Sequence, residues 1–301
     1  MLDRVRRRRV PSSQPAIEIA LLEWDGEGDG DRPLALLHHA NGFCAGTWDE
    51  VAQGLRGRFR VVALDARGHG DSSKPEDPDA YAWERFVDDL LAVAGPLARA
   101  AGGRIALGLG HSFGGAAMLL AAARRPGLFE RLVLVDPVIR DPSWDGYVPP
   151  GESPGAHLAA RARRRRDVWP SRAAALRRWT ERELFASCTP RALELYAAEG
   201  LHQRADGQVE LKCPREVEAA IFDRGGTLDP FPHAQRVTAS TLFLRAARGS
   251  FSRETYQALA DAMPDGRVED VDAGHLVPME RPDLVIAAAL GDGGAGQRST
   301  G

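Results

Sequence analysis

Residues 110–114 read Gly-His-Ser-Phe-Gly and join two segments of different pattern. The run at 105–109 before them is short and apolar, which is typical of a buried strand, and the stretch at 114–123 after them predicts a helix. A serine between two glycines at a strand-to-helix turn matches the G-x-S-x-G pattern, whose sharp turn exposes the hydroxyl. The pattern therefore predicts that Ser112 is a nucleophile at the carboxyl end of a buried strand, where open parallel sheets collect their chemistry.

The segments around this turn predict a mostly parallel sheet. Further short apolar runs alternate with helical patterns such as the one at 83–97, and these runs occupy residues 34–37, 59–64, 132–135 and 241–244. Strand–helix alternation of this kind is typical of a doubly wound α/β sheet. Residues 17–24 predict an edge strand before the first run, while 266–271 and 282–290 predict a last strand and a closing helix.

A long interval between the strands at 132–135 and 241–244 predicts an inserted unit. It shows no convincing buried strand, but helical patterns at 155–167, 172–185, 191–199 and 214–222. An interval of about a hundred residues is too long for a structureless loop in a compact domain. We assign 16–136 and 236–290 to an α/β core, 137–235 to an all-helical cap, 1–15 with its arginine run 6–9 to a disordered basic tail, and 291–301 to a flexible Gly-rich tail.

Composition excludes several classes of protein. The net charge of −3 over 301 residues gives no global attraction to nucleic acid or to an anionic membrane. The three cysteines, Cys44, Cys188 and Cys213, have neither disulfide-framework nor zinc-site spacing. No apolar run reaches the length of a membrane span. We expect a cytoplasmic protein that acts on a small-molecule or acyl substrate, without metal, cofactor, nucleic-acid partner or stable membrane insertion.

Three further segments resemble motifs of the α/β-hydrolase family. Residues 38–43 read His-His-Ala-Asn-Gly-Phe, 65–72 read Asp-Ala-Arg-Gly-His-Gly-Asp-Ser, and 272–275 read Asp-Ala-Gly-His. Together with the turn at Ser112 they occur in the family's order, and the resemblance covers about residues 17–136 and 236–290. It implies the α/β-hydrolase fold, serine-hydrolase chemistry, and a base at His275.

The triad needs an acid to orient that base. A serine hydroxyl is a poor nucleophile until a base takes its proton, and the histidine in turn needs a carboxylate. The position that many family members use corresponds to residues 245–251, which contain no carboxylate. The family has a second position, at the end of the strand after the nucleophile helix, and here it holds Asp136. We predict Asp136 as the acid, with Asp229 and Asp270 as alternatives.

The resemblance also implies an oxyanion hole of two backbone N–H groups. One belongs to the residue after the nucleophile, here Phe113. The other belongs to the residue two positions after the loop histidine, which is Asn41 if His39 is that histidine. Ala40 stands where the family usually has glycine, so the chain departs from the family pattern here.

The insertion resembles the cap of lipases and epoxide hydrolases, which walls the site and excludes water. Four aromatic residues are the predicted lining of a substrate pocket, namely Phe43, Trp179, Phe185 and Phe222. The arginine run at 161–166 is interpreted as a solvated helix face, with an acidic substrate group as the alternative.

These features favour a serine hydrolase that cleaves a carboxylic ester, thioester or lactone through an acyl-enzyme on Ser112. The same triad would serve a carbon–carbon bond hydrolase or a cofactor-free perhydrolase. Epoxide hydrolases and haloalkane dehalogenases are disfavoured because they use an aspartate nucleophile. A ligand receptor or scaffold built on a hydrolase fold is the non-enzymatic alternative, since a fold alone does not decide function.

Overall fold

A computed structural model describes residues 2, 5–24, 32–140, 155–225 and 228–291. Its strands are β1 (Val5–Pro11), β2 (Glu18–Trp24), β3 (Leu34–His38), β4 (Arg60–Leu64), β5 (Ile105–His111), β6 (Phe129–Val135), β7 (Val168–Trp169), β8 (Leu201–Gln203), β9 (Val209–Leu211), β10 (Ser240–Ala246) and β11 (Gly266–Val271). Eight of them form one sheet in the order β1-β2-β4-β3-β5-β6-β10-β11. The pairs β1–β2 and β2–β4 are antiparallel and the others are parallel, which confirms the predicted mostly parallel sheet.

Helices cover both faces of this sheet. The α-helices are α1 (Asp49–Leu55), α2 (Trp83–Ala100), α3 (Phe113–Arg124), α4 (Ala156–Arg163), α5 (Arg172–Thr180), α6 (Pro190–Glu199), α7 (Arg215–Asp223), α8 (Arg253–Asp261), α9 (Val277–Glu280) and α10 (Pro282–Leu290). Buried side chains of α2, α3 and α8 pack on one face, and those of α1 and α10 pack on the other. In α2 these side chains recur every three or four residues, so one stripe of the helix faces the sheet. None of the helices within the described ranges has the length and apolarity to cross a membrane.

The insertion is not purely helical, which corrects the sequence analysis. Besides α4 to α7 it contains a three-stranded antiparallel sheet in the order β7-β9-β8. These strands have only two or three residues, too few to show an alternating pattern in the sequence. Their apolar side chains pack with those of α5 and α6 into a cap core, which also takes in Leu276 and Met279 from the segment after β11.

The predicted N-terminal tail is also wrong in part. The arginine run 6–9 lies in β1, which pairs along its whole length with β2, so β2 is not an edge strand. Arg6 and Arg8 both pair with the mostly buried Glu23, and Arg7 Nη2 lies 2.7 Å from Glu199 Oε2 in the cap. Opposite charges therefore order a segment whose composition is typical of disorder. The predicted flexible tail lies outside the described residues after Gly291.

Candidate active site

Ser112 occupies a strained turn between β5 and α3. Its backbone has φ 54° and ψ −120°, a conformation that non-glycine residues rarely adopt. The Ser112 N–H donates to the Val135 carbonyl at 2.9 Å, and the Ser112 carbonyl accepts from Gly115 at 3.0 Å. A Cβ at Gly110 would lie 2.7 Å from the Gly115 Cα, so the turn requires glycine at position 110. The sheet and helix thus hold the hydroxyl in one place.

Three predicted residues meet at this turn. His275 Nε2 lies 2.9 Å from Ser112 Oγ, and His275 Nδ1 lies 2.6 Å from Asp136 Oδ2. Asp136 is fully buried, whereas the His275 side chain is 35% exposed. A hydroxyl, an imidazole and a carboxylate in this order have the geometry of a Ser-His-Asp triad, in which the imidazole can accept the hydroxyl proton.

Asp136 accepts a hydrogen bond from residues 245–251, the segment that contains no carboxylate. The Ala246 N–H donates to Asp136 Oδ1 at 3.0 Å, and the Asp136 N–H donates to the Leu244 carbonyl at 2.8 Å. The Tyr256 hydroxyl donates to the Pro137 carbonyl at 2.6 Å and lies 3.5 Å from Asp136 Oδ1. Burial and the neighbouring Asp136 carboxylate raise the pKa of Tyr256 well above its usual value, so this hydroxyl keeps its proton.

The two alternative acids lie in other contacts. Asp270 forms ion pairs with Arg245 at 2.9 Å and with Arg253 at 3.1 Å. Asp229 accepts from the Phe231 N–H at 3.0 Å at the start of a 3₁₀ turn. Neither carboxylate bonds to His275, so the geometry favours Asp136 over both.

The loop after β3 at residues 39–43, here called the oxyanion loop, contains one predicted oxyanion donor, Asn41, and the other, Phe113, begins α3. Within the described part of the chain, no hydrogen bond occupies the backbone N–H of Asn41 or of Phe113. The Ala66 N–H donates to His39 Nε2 at 2.9 Å, so His39 connects this loop to the segment after β4. The Gly42 N–H donates to His69 Nε2 at 3.0 Å. His69 was not assigned to this loop from the sequence. Two free donors remain available for a developing negative charge.

Cap residues complete the support of this loop. The Tyr196 hydroxyl donates to the Gly42 carbonyl at 2.8 Å, and Asn41 Nδ2 donates to the Glu218 carbonyl at 3.0 Å. Arg165 bridges them, because its guanidinium bonds to Glu218 Oε2 at 2.7 Å and to the Tyr196 hydroxyl. No local pattern could have revealed these contacts, since Tyr196 and Gly42 are 154 positions apart.

The arginine run in the cap is therefore not uniformly solvated. Arg163 follows the prediction, with a 45% exposed side chain that pairs with Asp223 and Glu216. The Arg165 side chain is only 21% exposed and pairs with Glu218. Alternate positions of one arginine run thus have different surroundings, which a sequence pattern of like charges does not distinguish.

The four predicted pocket residues separate into two groups. Trp179 and Phe185 are buried in the cap core, and Trp179 stacks on Tyr196 with ring centroids 4.6 Å apart. Half-buried Phe43 packs against that core from the oxyanion loop, with its centroid 4.9 Å from Tyr196. Phe222 lies in a different small cluster of the cap. Phe43 thus belongs to the oxyanion loop, and the other three pack within the cap.

Four histidines near the site are buried and uncharged at neutral pH. Burial lowers the pKa of His38 to about 3, of His39 to about 4 and of His111 to about 3, and it lowers the pKa of His69 well below its usual value. They act as neutral hydrogen-bonding groups. Among the described residues, no three His, Cys, Asp or Glu side chains are arranged to hold a metal ion.

Two known proteins resemble this chain, one over most of its length and the other over less than half of it. The sn-1-specific diacylglycerol lipase ABHD11 of Mus musculus is 26% identical over 265 residues, which are 85% of this chain and 79% of that protein. The 2-(acetamidomethylene)succinate hydrolase of Mesorhizobium japonicum is 31% identical over 120 residues, which are 40% of this chain and 41% of that protein.

Solved structures share the fold. The thioesterase domain from the curacin biosynthetic pathway has a TM-score of 0.77 at 18% identity, covering 95% of this chain and 99% of that one. The peroxisomal alpha-beta-hydrolase Lpx1 of Saccharomyces cerevisiae has a TM-score of 0.76 at 18% identity, covering 96% and 89%. A sequence model described as the alpha/beta hydrolase family matches residues 35–288. The chain therefore belongs to the alpha/beta hydrolase family and is a hydrolase.

Proposed function

We propose that this protein is a serine hydrolase that cleaves a carboxylic ester, thioester or lactone through an acyl-enzyme on Ser112. The observation that carries the proposal is the position of His275, whose two ring nitrogens lie 2.9 Å from Ser112 Oγ and 2.6 Å from Asp136 Oδ2. The similarity to a diacylglycerol lipase over 85% of the chain supports acyl chemistry.

The chemistry follows from these contacts. His275 Nε2 takes the Ser112 proton while Oγ attacks the carbonyl carbon, and Asp136 stabilises the imidazolium that forms. The backbone N–H groups of Phe113 and Asn41 hold the oxygen anion of the tetrahedral intermediate. The leaving alkoxide or thiolate then takes the proton from His275. A water molecule then gives a proton to His275 and attacks the acyl carbon, and His275 returns this proton to Ser112 Oγ as the acid leaves.

A fluorophosphonate probe tests the proposal, because it phosphonylates an activated serine. Wild type should be labelled, and Ser112→Ala should not. Absence of labelling in wild type, or equal labelling of both proteins, would remove the enzymatic proposal and favour the receptor alternative. Chromogenic esters of increasing acyl length, run beside a lactone panel, would then define the substrate. Product analysis would separate ester cleavage from carbon–carbon cleavage or perhydrolysis.

We also propose that it acts in the cytoplasm on a small acyl substrate. All three cysteines are free thiols, as is usual in a reducing compartment. Localisation of a tagged full-length chain tests this.

A further inference from the structure

The backbone around His275 is held at three successive positions by two side chains outside the triad. Glu280 Oε2 accepts from the Gly274 N–H at 2.7 Å, and Glu280 Oε1 accepts from the Leu276 N–H at 3.1 Å. His111 Nε2 donates to the carbonyl of His275 itself at 2.8 Å. The residue before the base, the base and the residue after it are therefore all fixed through their main chains.

The Glu280 contact is built into the fold. Glu280 ends α9 and is only 9% exposed, and glutamate is rarely buried to this extent without partners. Both of its oxygens are used on the loop, which makes two charge-assisted hydrogen bonds. A Cβ at Gly274 would lie 2.7 Å from Glu280 Oε1, so glycine at this position is what lets the carboxylate approach.

The His111 contact links the base to the strand that carries the nucleophile. His111 is the last residue of β5 and directly precedes Ser112. Because its partner is a carbonyl oxygen, His111 Nε2 must carry the proton. One buried, neutral side chain thus ties the strand of Ser112 to the loop of His275.

We propose that Glu280 and His111 are positioning residues that clamp the His275 loop, so that the imidazole lies between Ser112 Oγ and Asp136 Oδ2. The proposal rests on the proposed function of this triad. Neither side chain hydrogen-bonds to Ser112 Oγ or to the ring of His275, so their hydrogen bonds act through the backbone. The ring of His111 also lies beside the ring of His275, with centroids 5.2 Å apart. A catalytic group displaced by about 1 Å can lose about 100-fold in rate, and substrate binding need not change.

Glu280→Gln and Glu280→Ala test the first contact. In Gln an NH₂ group replaces one acceptor and faces a backbone N–H. We expect kcat and the rate of fluorophosphonate labelling to fall about 10- to 100-fold, with KM changed less than about twofold. The downfield proton resonance of His275 Nδ1 should broaden. Asp283→Asn is the matched control, because Asp283 lies three positions after Glu280 with a 62% exposed side chain that pairs with Arg281, and it should keep wild-type rates.

His111→Phe and His111→Gln test the second contact and decide the question if the Glu280 variants do not fold. Phe fills the space without a donor, whereas Gln retains an N–H. We expect a loss of about tenfold or more in His111→Phe and substantial recovery in His111→Gln. Wild-type kcat in folded Glu280→Ala, or equal rates in the two His111 variants, would overturn the clamp. Those results leave wild-type labelling intact, whereas failure of the proposed function abolishes it.

Discussion

The base side of the site and the oxyanion loop are held by different parts of the chain. Ser112, Asp136 and His275 follow strands β5, β6 and β11, and the hydrogen bonds to Asp136 and to the His275 loop come from core residues. The cap touches this side through apolar packing on Leu276 and Met279 and one hydrogen bond, from the Thr189 N–H to the Met279 carbonyl. The oxyanion loop is braced by the core through His69 but also by the cap, through Tyr196 and Glu218. Proton transfer should therefore depend less on how the cap docks than stabilisation of the oxyanion does.

The two sides also differ in their electrostatics. On the base side, the Asp136 and Glu280 carboxylates accept backbone N–H groups. On the oxyanion side, an Arg165–Glu218 ion pair with little exposure lies against the loop. Removing one partner of such a pair leaves an uncompensated charge, which costs more than the pair itself contributes. Substitution of one partner in the Arg165–Glu218 pair should therefore cost stability as well as activity.

The largest expected effect comes from replacing the acid on the base side of the site. Asp136→Asn should lower kcat about 10⁴-fold, because an amide cannot stabilise the imidazolium and favours the wrong tautomer of His275. Asp270→Asn, which alters an alternative acid, should stay near wild type. Turnover of a short-chain chromogenic ester by folded protein measures both. Near-wild-type turnover of Asp136→Asn would show that the acid lies elsewhere.

The second largest effect comes from removing the Arg165–Glu218 ion pair between the cap and the oxyanion loop. Arg165→Met leaves the Glu218 carboxylate unpaired near the oxyanion loop, so kcat should fall about 100-fold and the free energy of unfolding by about 3 kcal/mol. Arg163→Met is the matched control from the same run, since its exposed pairs should contribute less than about 1 kcal/mol. Urea unfolding and ester turnover report the two quantities. Equal effects of the two substitutions would contradict a special role for Arg165.

A smaller effect comes from removing one hydroxyl group at the same contact between the cap and the oxyanion loop. Tyr196→Phe removes the hydroxyl that donates to the Gly42 carbonyl and accepts from Arg165, so the loop loses one restraint and kcat should fall about tenfold at nearly constant KM. The control is Tyr81→Phe, whose hydroxyl donates to the Pro75 carbonyl instead. Steady-state kinetics on one ester would show whether the two variants differ.

The smallest effect at neutral pH concerns the buried histidines that both sides use. Burial lowers the folded-state pKa of His38 to about 3, below the unfolded value near 6.5, so the unfolded chain binds more protons in acid. The stability contributed by neutral His38 is present above pH 6.5 and is lost towards pH 3, at about 1.4 kcal/mol per pH unit. Urea unfolding at pH 7 and pH 5 should show a weaker pH dependence in His38→Leu than in wild type. The control is Leu36→Ala at a buried position of β3 that does not titrate, which should lower the free energy of unfolding equally at both pH values.

Local patterns in the sequence predicted the central strands, the turn at Ser112 and the order of the motifs. They did so because strand–helix alternation and a glycine-flanked serine depend on neighbouring residues only. They failed for β1, whose arginines are ordered by Glu23 and Glu199, and for the cap sheet, whose strands are too short to show a period. The Arg165 environment was missed for the same reason, since its partner Glu218 lies 53 positions away.

The sequence by itself therefore determined that Ser112 stands at a strand-to-helix turn and that a histidine loop follows the last strand. Only the tertiary structure decided which carboxylate lies beside His275. Val135 pairs with Leu244 in the sheet, and this register places Asp136 within reach of both the Ala246 N–H and His275 Nδ1. Only the docking of the cap decided that Tyr196 and Glu218 support the oxyanion loop. Register and docking arise from contacts between distant residues, and no local pattern contains them.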